Sequence, residues 1–202
     1  MTEVTFYYDF GSPNAYMAHR VIPGVAARTG ATFVYLPILL GGLFKMTNNQ
    51  APMAAFVTVK GKMENERREM ERFIKRHNLT KWRWNPHFPV MTIQAMRGAV
   101  AAHEEGLGAA YDEALFAATW EAGEKCDDAP VLRDVLTRAG LPAEHLIART
   151  AELPIKDKLL ANTQAACDAG AFGSPSFVLN GELYFGKDKL RDVEEALTGD
   201  GR

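Results

Sequence analysis

No Cys-X-X-Cys pair occurs anywhere in these 202 residues. Only two cysteines are present, Cys126 and Cys167, far apart in the chain. That separation excludes a vicinal redox couple and a cysteine-based zinc site. A structural disulfide between them is not expected in a reducing compartment. Cys167, set among Ala165, Ala166 and Ala169, reads as a small buried or half-buried hydrophobe. The five histidines, His19, His77, His87, His103 and His145, show no metal-ligand spacing, so no metal is expected. An excess of one charge is missing too. The formal net charge is −2, which offers no electrostatic case for nucleic acid. No apolar run approaches the roughly 20 residues of a membrane span, so no membrane partner is expected. The opening Met1-Thr-Glu-Val-Thr-Phe6 lacks the basic and apolar regions of a signal peptide, and a cytoplasmic location is the default expectation. Repeats and low-complexity tracts are absent.

What is present is a globular balance, 47% hydrophobic and 24% charged, in a chain long enough for one large domain or two small ones. The most informative stretch is Asp9-Phe-Gly-Ser-Pro-Asn-Ala-Tyr16. Alternating apolar residues lead into it, with Val4, Phe6, Tyr8 and Phe10 predicted to share one face of a strand. A helix leads out, carrying Tyr16, Met17, Val21, Ile22 and Val25. Ser12 therefore falls where a buried strand turns into a helix, with Pro13 at the first helical position. One reading is an ordinary N-cap with proline next to it. Another is a ligand site, because free N–H groups and the helix dipole favour an anion there, a thiolate included. The two readings are compatible.

Gly30 is placed to cap the first helix, and Thr32–Pro37 reads as a second strand, parallel to the first in a βαβ unit. From about Gly41 the pattern becomes helical. Gly42–Pro52 reads as a loop, or a short helix followed by a loop. A helix is predicted from Met63 to Asn78, with Glu64/Arg68 and Glu71/Lys75 as i,i+4 pairs on a solvated face. Lys81–Pro89, with two prolines and three aromatics, reads as an extended structured loop. Further helices follow to Gly170. The sheet resumes with Ser176–Leu179 and Glu182–Phe185 around Asn180-Gly181, a strong hairpin signal, and an amphipathic helix ends the chain.

A second stretch, Gly170-Ala-Phe-Gly-Ser-Pro-Ser-Phe-Val-Leu-Asn-Gly-Glu-Leu-Tyr-Phe185, completes a pattern with Asp9–Tyr16. Together they resemble the thioredoxin-fold branch that contains DsbA-like proteins, kappa-class glutathione transferases and 2-hydroxychromene-2-carboxylate isomerases. The resemblance covers nearly the whole chain. It implies an α/β thioredoxin fold with a DsbA-type all-helical domain inserted: residues 1–40 and 170–202 form the thioredoxin-like domain and 41–169 the insertion. In that branch a Cys-X-X-Cys site lies where Ser12-Pro13-Asn14-Ala15 stands here, facing a cis-proline loop matched by Ser174-Pro175. A hydroxyl cannot replace sulfur in dithiol exchange, so the site must borrow a thiol or use none.

The resembling families borrow glutathione, and the resemblance makes Ser12 the hydrogen-bond donor to its sulfur. Pro13 and Asn14 accompany it. Ser174, before Pro175, offers its backbone to the cysteinyl part. Asn49 matches an asparagine contact after the second strand, with Asn48 leaving the register open by one. Lys60 matches a basic residue for a glutathione carboxylate, or is a solvated surface lysine. Asp188 matches an aspartate for the γ-glutamyl end, or is the N-cap of the last helix, or both. Lys187 stands where a small hydroxyl residue is common, so its contact is assigned to the backbone. Phe44, Met46, Met53, Trp82, Trp84, His87 and Phe88 either line an apolar cleft for the second substrate or belong to the core, with Arg83 and Lys60 as candidate cations. Phe-Tyr-Tyr-Asp-Phe-Gly-Ser-Pro most resembles the isomerases. The implied activity interconverts 2-hydroxychromene-2-carboxylate and trans-o-hydroxybenzylidenepyruvate in naphthalene-type catabolism, by reversible thiolate addition. A small aromatic carboxylate substrate and a homodimer follow from the same resemblance. The alternatives are a kappa-like transferase or peroxidase, or a non-catalytic glutathione-binding module.

Overall fold

Alternation along strand β1 (Glu3–Tyr8) points Val4, Phe6 and Tyr8 to one face, and all three are fully buried. The computed structural model describes residues 2–199. Helix α1 (Pro13–Thr29) follows β1, capped by Ser12 at its start and by Gly30 at its end. Gly30 sits at φ 69°, where a side chain would strain the backbone, and its N–H closes on Ala26 O. Strand β2 (Thr32–Pro37) then pairs parallel to β1, with Phe6 opposite Tyr35.

The helical region follows β2 in the chain: α2 (Leu40–Met46), α3 (Pro52–Ala55), α4 (Lys62–Arg76), α5 (Ile93–Glu104), α6 (Gly108–Ala117), a π-helical turn (Ala118–Ala122), α7 (Ala129–Arg138), α8 (Ala143–Arg149) and α9 (Leu153–Asp168). Strands β3 (Ser176–Leu179) and β4 (Glu182–Phe185) complete a sheet of order β2-β1-β3-β4. β3 runs antiparallel to both neighbours. Asn180 at φ 52° and Gly181 at φ 83° supply the positive angles of a type I′ hairpin turn. A 3₁₀ turn (Lys187–Lys189) leads into α10 (Leu190–Thr198). These elements are an α/β thioredoxin-like fold with an inserted helical region.

One apolar cluster crosses the expected boundaries near residues 40 and 170, joining Phe6, Tyr8 and Phe10 to Phe116, Trp120 and Leu132. Burial of such side chains stabilises by about 1.5–3 kcal/mol each. Two polar seams hold the helices to the sheet in fixed register. Tyr8 donates to Asp112 at 2.6 Å, and Asp112 meets His103 at 2.8 Å. Across α1, His19 bridges Tyr35 at 3.0 Å and Glu113 at 3.1 Å.

Two local expectations are corrected. Glu64 meets Arg68 as expected, but Glu71 pairs with Arg67 instead of Lys75. The Arg67 guanidinium spans both Glu64 and Glu71, which lie one turn to either side of it on the same face. Asp188 does not cap the last helix: the chain first makes the 3₁₀ turn, so Lys189 takes the cap position and Asp188 lies inside that turn.

Candidate functional site

The site grows from the end of β1. Asp9 follows Tyr8 and is 1% exposed. Its two carboxylate oxygens divide the work, one accepting from Gly11 N at 2.8 Å and the other from Leu40 N at 2.8 Å. Burial raises the Asp9 pKa, opposed by these two backbone bonds and by the Thr92 hydroxyl. The Asp9 carbonyl accepts from Ser12 N at 3.0 Å, closing the turn. One buried acid thus fixes both the turn that delivers Ser12 and the start of α2.

Ser12 is 4% exposed. Its hydroxyl oxygen accepts from Ala15 N at 3.1 Å, so the cap reading holds. The same hydroxyl donates to the Ser174 carbonyl at 2.8 Å, across 162 residues of chain. The Ser174–Pro175 peptide bond is cis. The two stretches singled out in the sequence therefore meet. Pro13 and Asn14 are half-buried in the first turn of α1. Ser174 is 9% exposed, and its own hydroxyl is buried with no hydrogen-bond partner among the described residues. A buried hydroxyl left unpaired costs about 1–3 kcal/mol, so its presence calls for an explanation. A hydrogen-bonding ligand at this position is one, and the orphaned hydroxyl beside a helix N-terminus fits a thiolate ligand such as that of glutathione.

Neighbouring loops close around this point. Gly186 N donates to Pro175 O at 2.9 Å, which seats Lys187 and Asp188 next to the proline loop. Lys187, 7% exposed, turns its ammonium onto Asp188 at 2.6 Å and over the Phe73 ring at 5.1 Å. The Asp188 side chain remains 56% exposed. Asn49 donates to Phe172 O at 2.7 Å, tying the loop after α2 to the segment before Ser174. Asn48 instead takes the left-handed position at φ 53°. Gly173 packs against Phe185: a Cβ there would come within 2.6 Å of the ring, which would have to move aside. Lys60 is exposed between α3 and α4.

The expected apolar residues divide between two places. Trp82, Trp84 and Phe88 form an aromatic cluster with the fully buried Trp120, whose indole N–H donates to Phe10 O at 2.7 Å. Buried Asn85 braces their loop through Thr119 O and Glu124 O, both at 2.9 Å. Met46 instead lines a groove with Leu39, Ile93 and Leu160. Phe44 is half-buried, while Met53 and His87 are exposed. Arg83 borders a separate open groove with Glu121 and Arg138.

Sequence reasoning gave no role to Asp9 or Trp120. The signal for Asp9 was present, a carboxylate in an otherwise apolar run. Nothing local marks Trp120, which reaches Phe10 from a distant helix.

Chemically, the Ser12 hydroxyl hydrogen-bonds among the described residues to two backbone groups, and neither is a base. His19 and His103 are engaged in the two seams. Serine nucleophiles depend on an adjacent base, so the arrangement suits hydrogen-bond donation to an anion. Cys126 is buried, with its thiol pushed up to about 11 by burial, and does not supply a thiolate.

The chain is similar along most of its length to known proteins. The chain is 27% identical over 195 residues to glutathione S-transferase kappa 1 of Rattus norvegicus, covering 91% of this chain and 85% of that protein. It is 26% identical over 198 residues to 2-hydroxychromene-2-carboxylate isomerase of Pseudomonas putida, covering 96% and 93%. Among solved structures, a selenomethionine 2-hydroxychromene-2-carboxylate isomerase superposes with a TM-score of 0.84 at 23% identity, over 98% of this chain and 95% of that one. Residues 3–198 match the DSBA-like thioredoxin domain, and the chain belongs to that family.

Proposed function

We propose that the protein is a glutathione-dependent isomerase of the 2-hydroxychromene-2-carboxylate type, acting on a small aromatic carboxylate. The observation that carries this reading is the Ser12 hydroxyl at the N-terminus of α1, bonded to the carbonyl before a cis proline in a site without cysteine. Relatives bearing that isomerase name align along nearly the full chain.

Glutathione, when bound, supplies a thiolate that adds reversibly to a conjugated double bond. The Ser12 hydroxyl would donate a hydrogen bond to the sulfur, and the dipole of the 17-residue α1 adds a favourable field. Pro13 and Asn14 form the first helical turn beneath it. Ser174 offers its carbonyl to the cysteinyl N–H, and its free hydroxyl has a partner to gain. Asn49 holds the flanking loop, Lys60 takes a carboxylate, and Asp188 with the Lys187 backbone takes the γ-glutamyl end. Once the Ser12 hydroxyl has turned to the sulfur of glutathione, donors held on the folded frame avoid further reorganisation during reaction.

The decisive experiment is thiolate absorbance of bound glutathione against pH, in the wild type and in Ser12→Ala. A free thiol titrates at about 8.5. One charge-assisted hydrogen bond lowers that by about one to two units, and Ser12→Ala returns it toward the free value. Binding without a lowered pKa reduces Ser12 to a helix cap. No binding leaves only the fold. The similarity to the kappa transferase supports a second reading, transfer of glutathione to an acceptor at the same site. Product analysis with chromene carboxylates separates the two, because isomerisation regenerates glutathione and transfer consumes it.

A further inference from the structure

Arg97 on α5 and Lys156 on α9 are half-buried, border one groove, and enter no ion pair among the described residues. Arg20, Arg28, Arg133, Arg138 and Arg149, by contrast, each hold a carboxylate. The groove has a volume of about 270 Å3, and its walls are apolar. Met46 and Ile93 are each 38% exposed and Leu160 is 58% exposed, so greasy surface faces solvent beside two unneutralised cations. Asp157, on the rim, leaves the groove one net positive charge. An apolar slot with a few convergent charged groups is the usual form of a small-molecule site.

We infer that this groove binds a planar aromatic monocarboxylate, with Arg97 and Lys156 taking the carboxylate and Met46, Ile93 and Leu160 flanking the ring. The assignment rests on the reading of the protein as a thiol-dependent enzyme for such acids, and it gives that acid its own binding residues. Position favours it. Leu39 on the groove wall precedes Leu40, whose N–H is held by Asp9. Ile93 follows Thr92, whose methyl stands 3.3 Å from where a Gly11 Cβ would lie. Both walls therefore begin at residues packed against the turn that delivers Ser12. The single net charge selects a monoanion over a dianion. Arg97 presents a planar fork to a carboxylate, and Lys156 a point charge.

The test is calorimetric binding of trans-2-hydroxycinnamate and of its neutral amide to the wild type and to Arg97→Gln, Lys156→Gln and the double variant. The wild type is expected to prefer the acid by about tenfold or more, the weight of one charge-assisted hydrogen bond. Each single variant narrows that preference, and the double variant abolishes it while amide binding persists through the apolar walls. Added salt weakens acid binding in the wild type, since these cations are only half-buried. Equal binding of acid and amide by the wild type, absent acid binding, or an unchanged preference in the double variant overturns the assignment. Glutathione thiol titration on the same variants separates the two claims. A lowered thiol pKa with no acid preference sinks the groove alone. Acid preference without a lowered thiol pKa sinks the thiol mechanism and leaves the groove standing.

Discussion

Ser12→Ala should change the affinities of two closely related ligands in opposite directions. In the free protein the Ser12 hydroxyl donates to the Ser174 carbonyl at 2.8 Å, inside a buried site. A cysteinyl N–H that pairs with that carbonyl competes with Ser12 for it. S-Methylglutathione brings the N–H but no thiolate, so it displaces Ser12 and gives it nothing in return. Removing the hydroxyl removes the competitor, and S-methylglutathione is expected to bind Ser12→Ala more tightly by about 1 kcal/mol, roughly fivefold. Glutathione itself gives the displaced hydroxyl a thiolate to hold. Losing that bond costs about 1.5–3 kcal/mol, partly offset by the same gain of about 1 kcal/mol, so Ser12→Ala weakens glutathione by about 0.5–2 kcal/mol, roughly two- to thirtyfold in the opposite direction. Titration calorimetry at a pH above the bound thiol pKa reads both constants. The lost cap weakens α1 by about 1 kcal/mol for either ligand and cancels from the comparison; Ser12→Gly, which costs the helix less, serves as a second variant. Unchanged or weaker binding of S-methylglutathione by both variants would mean that the carbonyl accepts both donors at once, and the exchange would be refuted.

Asp9→Asn leaves one of two backbone N–H groups facing an amide donor, and should cost about 1–3 kcal/mol, lowering Tm by about 2–4 °C per kcal/mol in a chain of this size. Because burial raises the Asp9 pKa in the folded state, ionising Asp9 erodes stability as pH rises through its titration. The cost of Asp9→Asn is therefore smaller at neutral pH than near pH 4, and urea unfolding at both values checks the sign. Glu113 behaves oppositely. Its hydrogen bond from His19, then its pairing with Arg20, hold it at about 2, so its contribution is present above the ordinary glutamate range and lost as pH falls toward 2. Glu113→Gln should flatten that acid limb of the stability profile, and an unchanged limb would contradict the role given to the His19 seam. Lys187→Ser releases Asp188 from the ammonium at 2.6 Å and should tighten glutathione several-fold without affecting an analogue that lacks the γ-glutamyl amine. Equal gains for both ligands would remove Asp188 from ammonium recognition.

Much of the fold was legible because its signals are local. Thr32–Pro37, Ser176–Leu179 and Glu182–Phe185 appear as strands with the bounds read from β-branched and aromatic runs and the Asn180-Gly181 turn. The Ser12 cap and the Gly30 stop follow from single-residue backbone preferences. Composition and the spacing of two cysteines excluded a dithiol site without any structure.

Tertiary structure decided what touches what. The hydrogen bond from Ser12 to Ser174, the Asp9 link to Leu40, and the Trp120 contact with Phe10 join segments whose neighbourhood no periodicity records. Asp188 falls inside a 3₁₀ turn that precedes the last helix, where the Lys187 ammonium turns onto it and over the Phe73 ring. The aromatic loop and Met46, readable in the sequence as one cleft or as core, fall in two places, since Trp84 and Phe88 pack on Trp120 while Met46 lines a separate groove. Propensity, capping and turn chemistry act over a few residues and are written along the chain. Pairing of buried polar groups and packing of large side chains are settled only when the whole core closes, because each group's partner depends on where every other element has come to rest.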